Sequence, residues 1–451
     1  MSERRRILDQ FDDQKVFMEE NVRAGIEANR KGFAQIFIKD REGNPITDAR
    51  VHAAQKTHAF KYGANIFMLD ELESDEKNDC YKNHMSQFCN MATLPFYWDA
   101  TEPEEGKTRY AKDSIPLYRR PAIDRCMEFC EKHGIEPREH ALAYDHFFPK
   151  WLYEASIPKI KQALNRRYRE IAERYATRIN TIEVTNEMDW APGEGKTTFY
   201  EEPDYVEFCF KLAQKYFPAN QLVINEHTSA CWKDNCRPSD KYYAYIKNAI
   251  DAGARIDAIG MQYHQFKKRE AEYEKTRVTY DPVQLYKHMD LYAQFGKPLQ
   301  VTEVTVPAYS WEAEDEEIQA EILKNLYAIW FSHPAMEQIV YWNLVDGYAH
   351  VWDPDPEKIR VSQGNMTLGE NYYYGGLLRF DMTPKPAFFA IKDLIEREWH
   401  TEAEMSTNGM GKAQFKGFFG RYEVTVRKDG KTVTKELDLS KKGRDKFVLT
   451  I

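Results

Sequence analysis

The chain has 451 residues, 42% of them hydrophobic and 30% charged, enough apolar material for a large core and too much for a disordered polypeptide. Its formal net charge of −9 leaves no basic surplus to displace counterions from a phosphate backbone, so a nucleic-acid partner is not expected. The start, MSERRRIL, runs into Asp9, Asp12 and Asp13 instead of an apolar signal segment, and no stretch approaches membrane-spanning length. These features predict a cytoplasmic protein with no membrane partner. The 7 cysteines include Cys126 and Cys130 on one helical stretch and read as reduced thiols. Cys231 and Cys236 lack the second ligand pair a zinc site needs, and His84, His133, His146 and His227 lie in separate segments. No metal and no cofactor is expected.

In chain order, Ile7, Phe11, Val22 and Ile26 predict an amphipathic N-terminal helix within residues 1–32. From Phe33 the pattern alternates around Gly43-Asn44-Pro45, which predicts a β-hairpin. The chain's other end alternates at Tyr422, Val424 and Val426, turns at Asp429-Gly430, and resumes at Val433, Leu437 and Leu439. Each end alone would leave open sheet edges, so residues 33–58 and 404–451 are predicted to share one small β-sandwich. Phe415, Phe418, Phe419 and Tyr422 there form either its core or a sugar-binding platform.

Between them, residues 59–403 carry eight short apolar runs separated by helical patterns: FKYGANIF, FCNMATL, EHALAY, INTIEVTN, QLVINE, IDAIGMQ, LQVTEV and QIVYWNL. This alternation predicts an α/β fold, a (β/α)8 TIM barrel with the small sandwich as accessory. Reactive groups in such barrels stand at the carboxyl ends of strands. The fourth run ends in Asn186-Glu187 and the seventh in Glu303. Two carboxyls facing each other across a barrel mouth fit glycosidic bond cleavage, in which one protonates the leaving oxygen and the other acts on the opposite face of the sugar. Glu303 is expected to be the nucleophile if His264 or another donor keeps it ionised, its charge then raising the pKa of Glu187.

The ordered motifs YWDATEPEEG (97–106), REHALAY around His140, TNE (185–187), GMQYH (260–264), TE (302–303) and YWNLVDGY around Trp342 resemble glycoside hydrolase family 10, chiefly endo-acting β-1,4-xylanases on a (β/α)8 barrel. The resemblance implies Glu187 as acid/base, Glu303 as nucleophile and Asn186 as partner of the sugar 2-hydroxyl. It further implies that His140 and Gln262 contact the cleaved sugar, that His264 orients Glu303, and that Trp342 floors the site. Where the family carries a Glu-Asn pair and a Lys ahead of a tryptophan, this chain reads Thr93-Leu94-Pro95-Phe96-Tyr97-Trp98. Tyr144, Asp145, Phe147 and His350 replace further polar or aromatic groups of the family. An aromatic pocket from Phe96, Tyr97, Trp98, Tyr144 and Phe147 is therefore expected to take short β-xylosidic oligosaccharides or plant glycosides by double displacement. Another β-glycosidase specificity, or a non-catalytic carbohydrate-binding protein, stands as the alternative.

Overall fold

The computed structural model describes residues 4–190, 195–352, 356–441, 443 and 445–451. In chain order its strands are β1 (Lys31–Lys39), β2 (Arg50–His58), β3 (Lys61–Asn65), β4 (Met91–Pro95), β5 (Glu136–His140), β6 (Thr181–Asn186), β7 (Gln221–Glu226), β8 (Ala258–His264), β9 (Leu299–Thr305), β10 (Met336–Tyr341), β11 (Glu402–Ser406), β12 (Lys412–Phe418), β13 (Gly420–Lys428), β14 (Lys431–Leu439) and β15 (Lys446–Thr450).

Strands β3 to β10 close into a barrel in which neighbouring strands run parallel and β10 returns to β3. Seven of the eight apolar runs read from the sequence supply these strands, whereas the third, EHALAY, overlaps β5 only at Glu139 and His140, its apolar residues following the strand. The seven are apolar without alternation because side chains on one face fill the barrel and those on the other meet the surrounding helices; β4, β6 and β9 are buried at every position. The helix Ile157–Tyr175 turns Ile160, Leu164, Tyr168, Ile171 and Tyr175 onto the sheet. The helix Ile123–His133 ends where Gly134 takes φ 66°, a left-handed stop that lets the chain turn directly into β5.

The chain ends build two further sheets, ordered β12-β1-β15 and β11-β2-β13-β14. β1 and β2 do not form the hairpin expected from the sequence: β1 pairs with β12 and β15, whereas β2 pairs with β11 and β13. The alternating residues explain this, because Ala34, Ile36 and Ile38 from one sheet and Val51 and Ala53 from the other face a single core between the sheets. Each strand gains two partners this way and would have gained one in an isolated hairpin. Phe415 and Tyr422 fill that core, and Phe418 packs into the barrel's, so these rings are structural and not a surface platform.

The N-terminal segment is helical but segmented, with 3-10 geometry at Arg4–Leu8, a wide π turn at Met18–Val22 and a regular helix at Arg23–Asn29. It straps the outside of the barrel. Arg4 reaches Pro307 and Asp315 beyond the end of β9, while Arg30 binds the Phe331 and His333 carbonyls ahead of β10 and that of Met336 at its start. Among the described residues no helix is long and apolar enough to cross a membrane.

Candidate active site

The carboxyl ends of the barrel strands open into a cavity of about 530 Å3. Glu187 and Glu303 line it, with Asn186, His140, Gln262, His264, Trp342, Tyr97 and Tyr144. Trp98 does not. It is buried beside the barrel, donates its indole N–H to Glu102 Oε2 at 2.9 Å, and packs on Phe148 and Trp151. Phe96 likewise turns outward against Tyr110 and Tyr175. Of the expected aromatic pocket, Tyr97, Tyr144 and Phe147 face the cavity.

Glu187 follows the last residue of β6 with φ 52°, a left-handed conformation that L side chains rarely adopt. Its carboxylate accepts from Gln262 Nε2 at 2.9 Å and from the Tyr144 hydroxyl at 2.7 Å. Burial pushes its pKa up, and the charge of Glu303 adds to that, outweighing the two donors. Glu303, within β9, is 3% exposed and is held from two sides, by Asn225 Nδ2 at 3.1 Å and His264 Nε2 at 3.2 Å. The Thr305 hydroxyl lies 2.9 Å from His264 Nδ1 and braces the ring, whose Nε2 faces the Glu303 carboxyl.

Asn225, at the end of β7, ties the two strands together. Its Nδ2 faces Glu303, Asn186 Oδ1 at 2.9 Å and Glu183 at 3.2 Å, while its Oδ1 accepts from the Thr302 hydroxyl at 2.7 Å, which fixes the amide's orientation. A Cβ at position 260 would stand 2.4 Å from Asn225 Oδ1, so Gly260 is what admits this amide. Asn186 Oδ1 also accepts from Gln262 Nε2 at 3.2 Å. With its oxygen so occupied, Asn186 retains its own N–H groups for a substrate oxygen.

Beneath this pair lies a buried charge cluster. Glu183 pairs with Arg138, and accepts from His140 Nδ1 at 2.8 Å. Burial alone would raise the Glu183 pKa, but Arg138 and His140 outweigh it and hold the carboxyl below its ordinary range. Burial would lower that of His140, and Glu183 outweighs it upward. His140 Nε2 meets the Tyr97 hydroxyl at 3.0 Å, so both ring nitrogens already have protein partners. Trp342 is 5% exposed, edge-on to Phe67 and His140, and presents its remaining surface to the cavity. His140, Glu183 and Glu303 lie close enough together to suggest a cation site, yet their atoms are already engaged with Arg138, Asn225, His264 and Tyr97.

Several residues of this site carry no obvious signal in the sequence. Asn225 had one: the fifth run ends in Asn-Glu, as the fourth does. Glu183 and Arg138 stand as charges inside otherwise buried strands, a pattern that marks buried ion pairs. Arg119 and Arg120 come from a loop and Glu370 from a short 3-10 turn, Gly369–Tyr373, none with a periodicity to mark it, and they enter the cavity through tertiary folding alone.

A family model described as glycosyl hydrolase family 10 matches residues 52–394. Among curated relatives, anti-sigma-I factor RsgI6 of Acetivibrio thermocellus is 25% identical over 406 residues, 89% of this chain and 46% of that protein. Endo-1,4-beta-xylanase B of Cellvibrio japonicus is 24% identical over 56% of this chain and 38% of its own length. This chain thus spans less than half the length of both. Endo-1,4-beta-xylanase B of Thermotoga neapolitana is 24% identical over 75% of this chain and 88% of that protein. In fold the chain is similar to xylanase 10B from Thermotoga maritima, with a TM-score of 0.59 at 20% identity over 75% of this chain and 96% of that one.

Proposed function

Because the chain belongs to glycosyl hydrolase family 10, we propose that it is a retaining hydrolase of β-xylosidic bonds in short oligosaccharides or plant glycosides, with Glu303 as nucleophile and Glu187 as acid/base. The observation that carries this reading is the asymmetry between the two carboxyls. Glu187 is shifted toward its protonated form by burial and by Glu303, while Glu303 is held in place by Asn225 Nδ2 and His264 Nε2. One proton donor and one anion across a cavity are what double displacement needs.

In the first step Glu303 attacks the anomeric carbon as Glu187 gives its proton to the departing glycosidic oxygen. The C–O bond breaks, and a glycosyl ester of Glu303 remains. Glu187, now a carboxylate, then takes a proton from water, whose oxygen attacks the same carbon and frees Glu303. Asn186 offers N–H donors to a hydroxyl beside the anomeric centre, and Trp342 offers an apolar face to the ring.

The substitutions in Thr93 to Tyr97 favour a short substrate. Tyr97 packs on Phe147 with ring centroids 4.2 Å apart, so rings occupy space that charged and amide groups would otherwise use for hydroxyls. The same rings also fit another β-glycosidase specificity, so the test is a panel of aryl β-glycosides and xylo-oligosaccharides. Glu303→Ala is expected to lose turnover, and added azide to restore part of it with release of an α-glycosyl azide. A β-azide product would exchange the two roles, and undiminished hydrolysis by Glu303→Ala would sink the assignment.

A further inference from the structure

One wall of the cavity is cationic and unbalanced. Arg120 is half-buried with its guanidinium over three rings, 4.0 Å from the centroid of Tyr97, 5.0 Å from Phe147 and 5.5 Å from Phe67. Among the described residues its guanidinium donates one hydrogen bond, from Nη1 to the Arg119 carbonyl at 2.9 Å, and no carboxylate forms an ion pair with it. Asp99 acts on it electrostatically without touching it. The rings fix the guanidinium in place and supply none of the oxygen acceptors that an arginine fork is built to meet.

The neighbouring residue repeats the pattern. Arg119 is 4% exposed and adopts φ 60°, a strained backbone that persists only where its surroundings impose it. Its Nη1 donates to Asn343 Oδ1 at 2.8 Å and to the Tyr348 carbonyl, whereas its Nε is buried without a partner. Glu370, the carboxylate on this side, is already engaged by Asn343 Nδ2 at 2.9 Å and the His350 N–H at 3.3 Å. The charge of the two arginines is felt nearby. Burial, then Arg119 and Arg120, push His350 down to about 3, so it stands neutral beside them.

We propose that the Arg120 wall is a subsite for a carboxylate carried by the substrate's sugar, which makes the substrate an acidic oligosaccharide or glycoside containing a uronic acid. This rests on the hydrolase reading above and narrows its substrate. A planar carboxylate matches the free edge of a guanidinium fork, and Tyr97 and Phe147 can receive the C–H face of the ring that bears it. The position suits a sugar in the same cavity as the reacting carboxyls, since Tyr97 reaches His140 through its hydroxyl and feels both Glu187 and Glu303. A neutral ligand would leave Arg120 desolvated and unpaired, a penalty that selects against it.

The test measures binding apart from turnover. Calorimetry on Glu303→Gln would compare two matched pairs, a xylo-oligosaccharide with a glucuronic acid branch against its carboxyl-reduced form, and an aryl β-glucuronide against the aryl β-glucoside. In at least one pair the acid is expected to bind about tenfold tighter or more, the advantage disappearing in Arg120→Met, which keeps the apolar stem. Equal affinities within both pairs, or an advantage that persists in Arg120→Met, would overturn the subsite. Inorganic phosphate binding with no preference for either acid would reduce it to a generic anion site and overturn it too. The within-pair comparison needs no substitution at Arg120, so misfolding of that variant cannot obscure the answer. If the binding preference holds while the unsubstituted enzyme leaves every sugar intact, the hydrolase reading falls and the subsite stands.

Discussion

At Glu187, burial and the charge of Glu303 act in one direction, and the donors Gln262 and Tyr144 act in the other. A general acid must hold its proton, so activity is expected to fall as the pH rises through the raised pKa of Glu187. Tyr144 donates to Glu187 Oε2 at 2.7 Å and so stabilises the carboxylate. Tyr144→Phe removes that donor, favours the protonated form, and is expected to move the alkaline limb of the kcat/KM profile to higher pH. A limb that stayed in place or moved down would show that Glu187 is not the group titrating there. Asn225 is the complementary case. Its amide joins Glu303 to Asn186, and Asn225→Ala is expected to lower kcat by about 100-fold, the usual loss on removing a positioned donor. Glu187 and Glu303 were legible in the sequence because each ends an apolar run. The Arg120 guanidinium was not, because a loop residue's destination depends on contacts that leave no periodicity.

The strand elements were legible for a related reason. A parallel strand buried on both faces is mostly apolar, so its run of residues is visible whatever its partners are. Pairing is less visible. The alternation in β1 and β2 fits a hairpin and a two-sheet sandwich equally, and only the chain's far end decides between them. The charges within β5 and β6 belong to this scale, since Arg138 and Glu183 join adjacent strands with fully buried side chains. Arg138→Met would leave Glu183 in the interior with His140 and Asn225 but without the arginine's charge, at an expected cost of about 3–5 kcal/mol near neutral pH. In the intact protein Glu183 has a depressed pKa. Its contribution is therefore present above the unfolded value of about 4.3 and lost as the pH falls through the lower folded one. The deficit of Arg138→Met in urea unfolding should accordingly be large at neutral pH and shrink on acidification. A deficit independent of pH would mean that packing, not charge, explains the loss.

For the molecule as a whole, the two ends of the barrel do different work. The cavity opens where the strands end, while the accessory sheets attach where they begin, since β2 leads directly into the start of β3. The attachment is aromatic. Trp399 stacks on Phe331 with centroids 3.9 Å apart, and its carbonyl accepts from His58 Nε2 at 2.6 Å, beside Phe418. Because Phe331 belongs to the barrel core and Phe418 ends β12, this stack couples the folding of the sheets to that of the barrel. Trp399→Ala should cost about 3–5 kcal/mol through the lost burial and the cavity left behind. It should leave kcat/KM per folded molecule unaltered, because its partners Phe331 and His58 lie at the opposite end of the barrel from the cavity. Thermal unfolding followed by tryptophan fluorescence and by activity would check both parts. A fall in kcat/KM without a fall in stability would place the accessory sheets in the catalytic cycle, and the division of labour between the barrel's two ends would have to be abandoned.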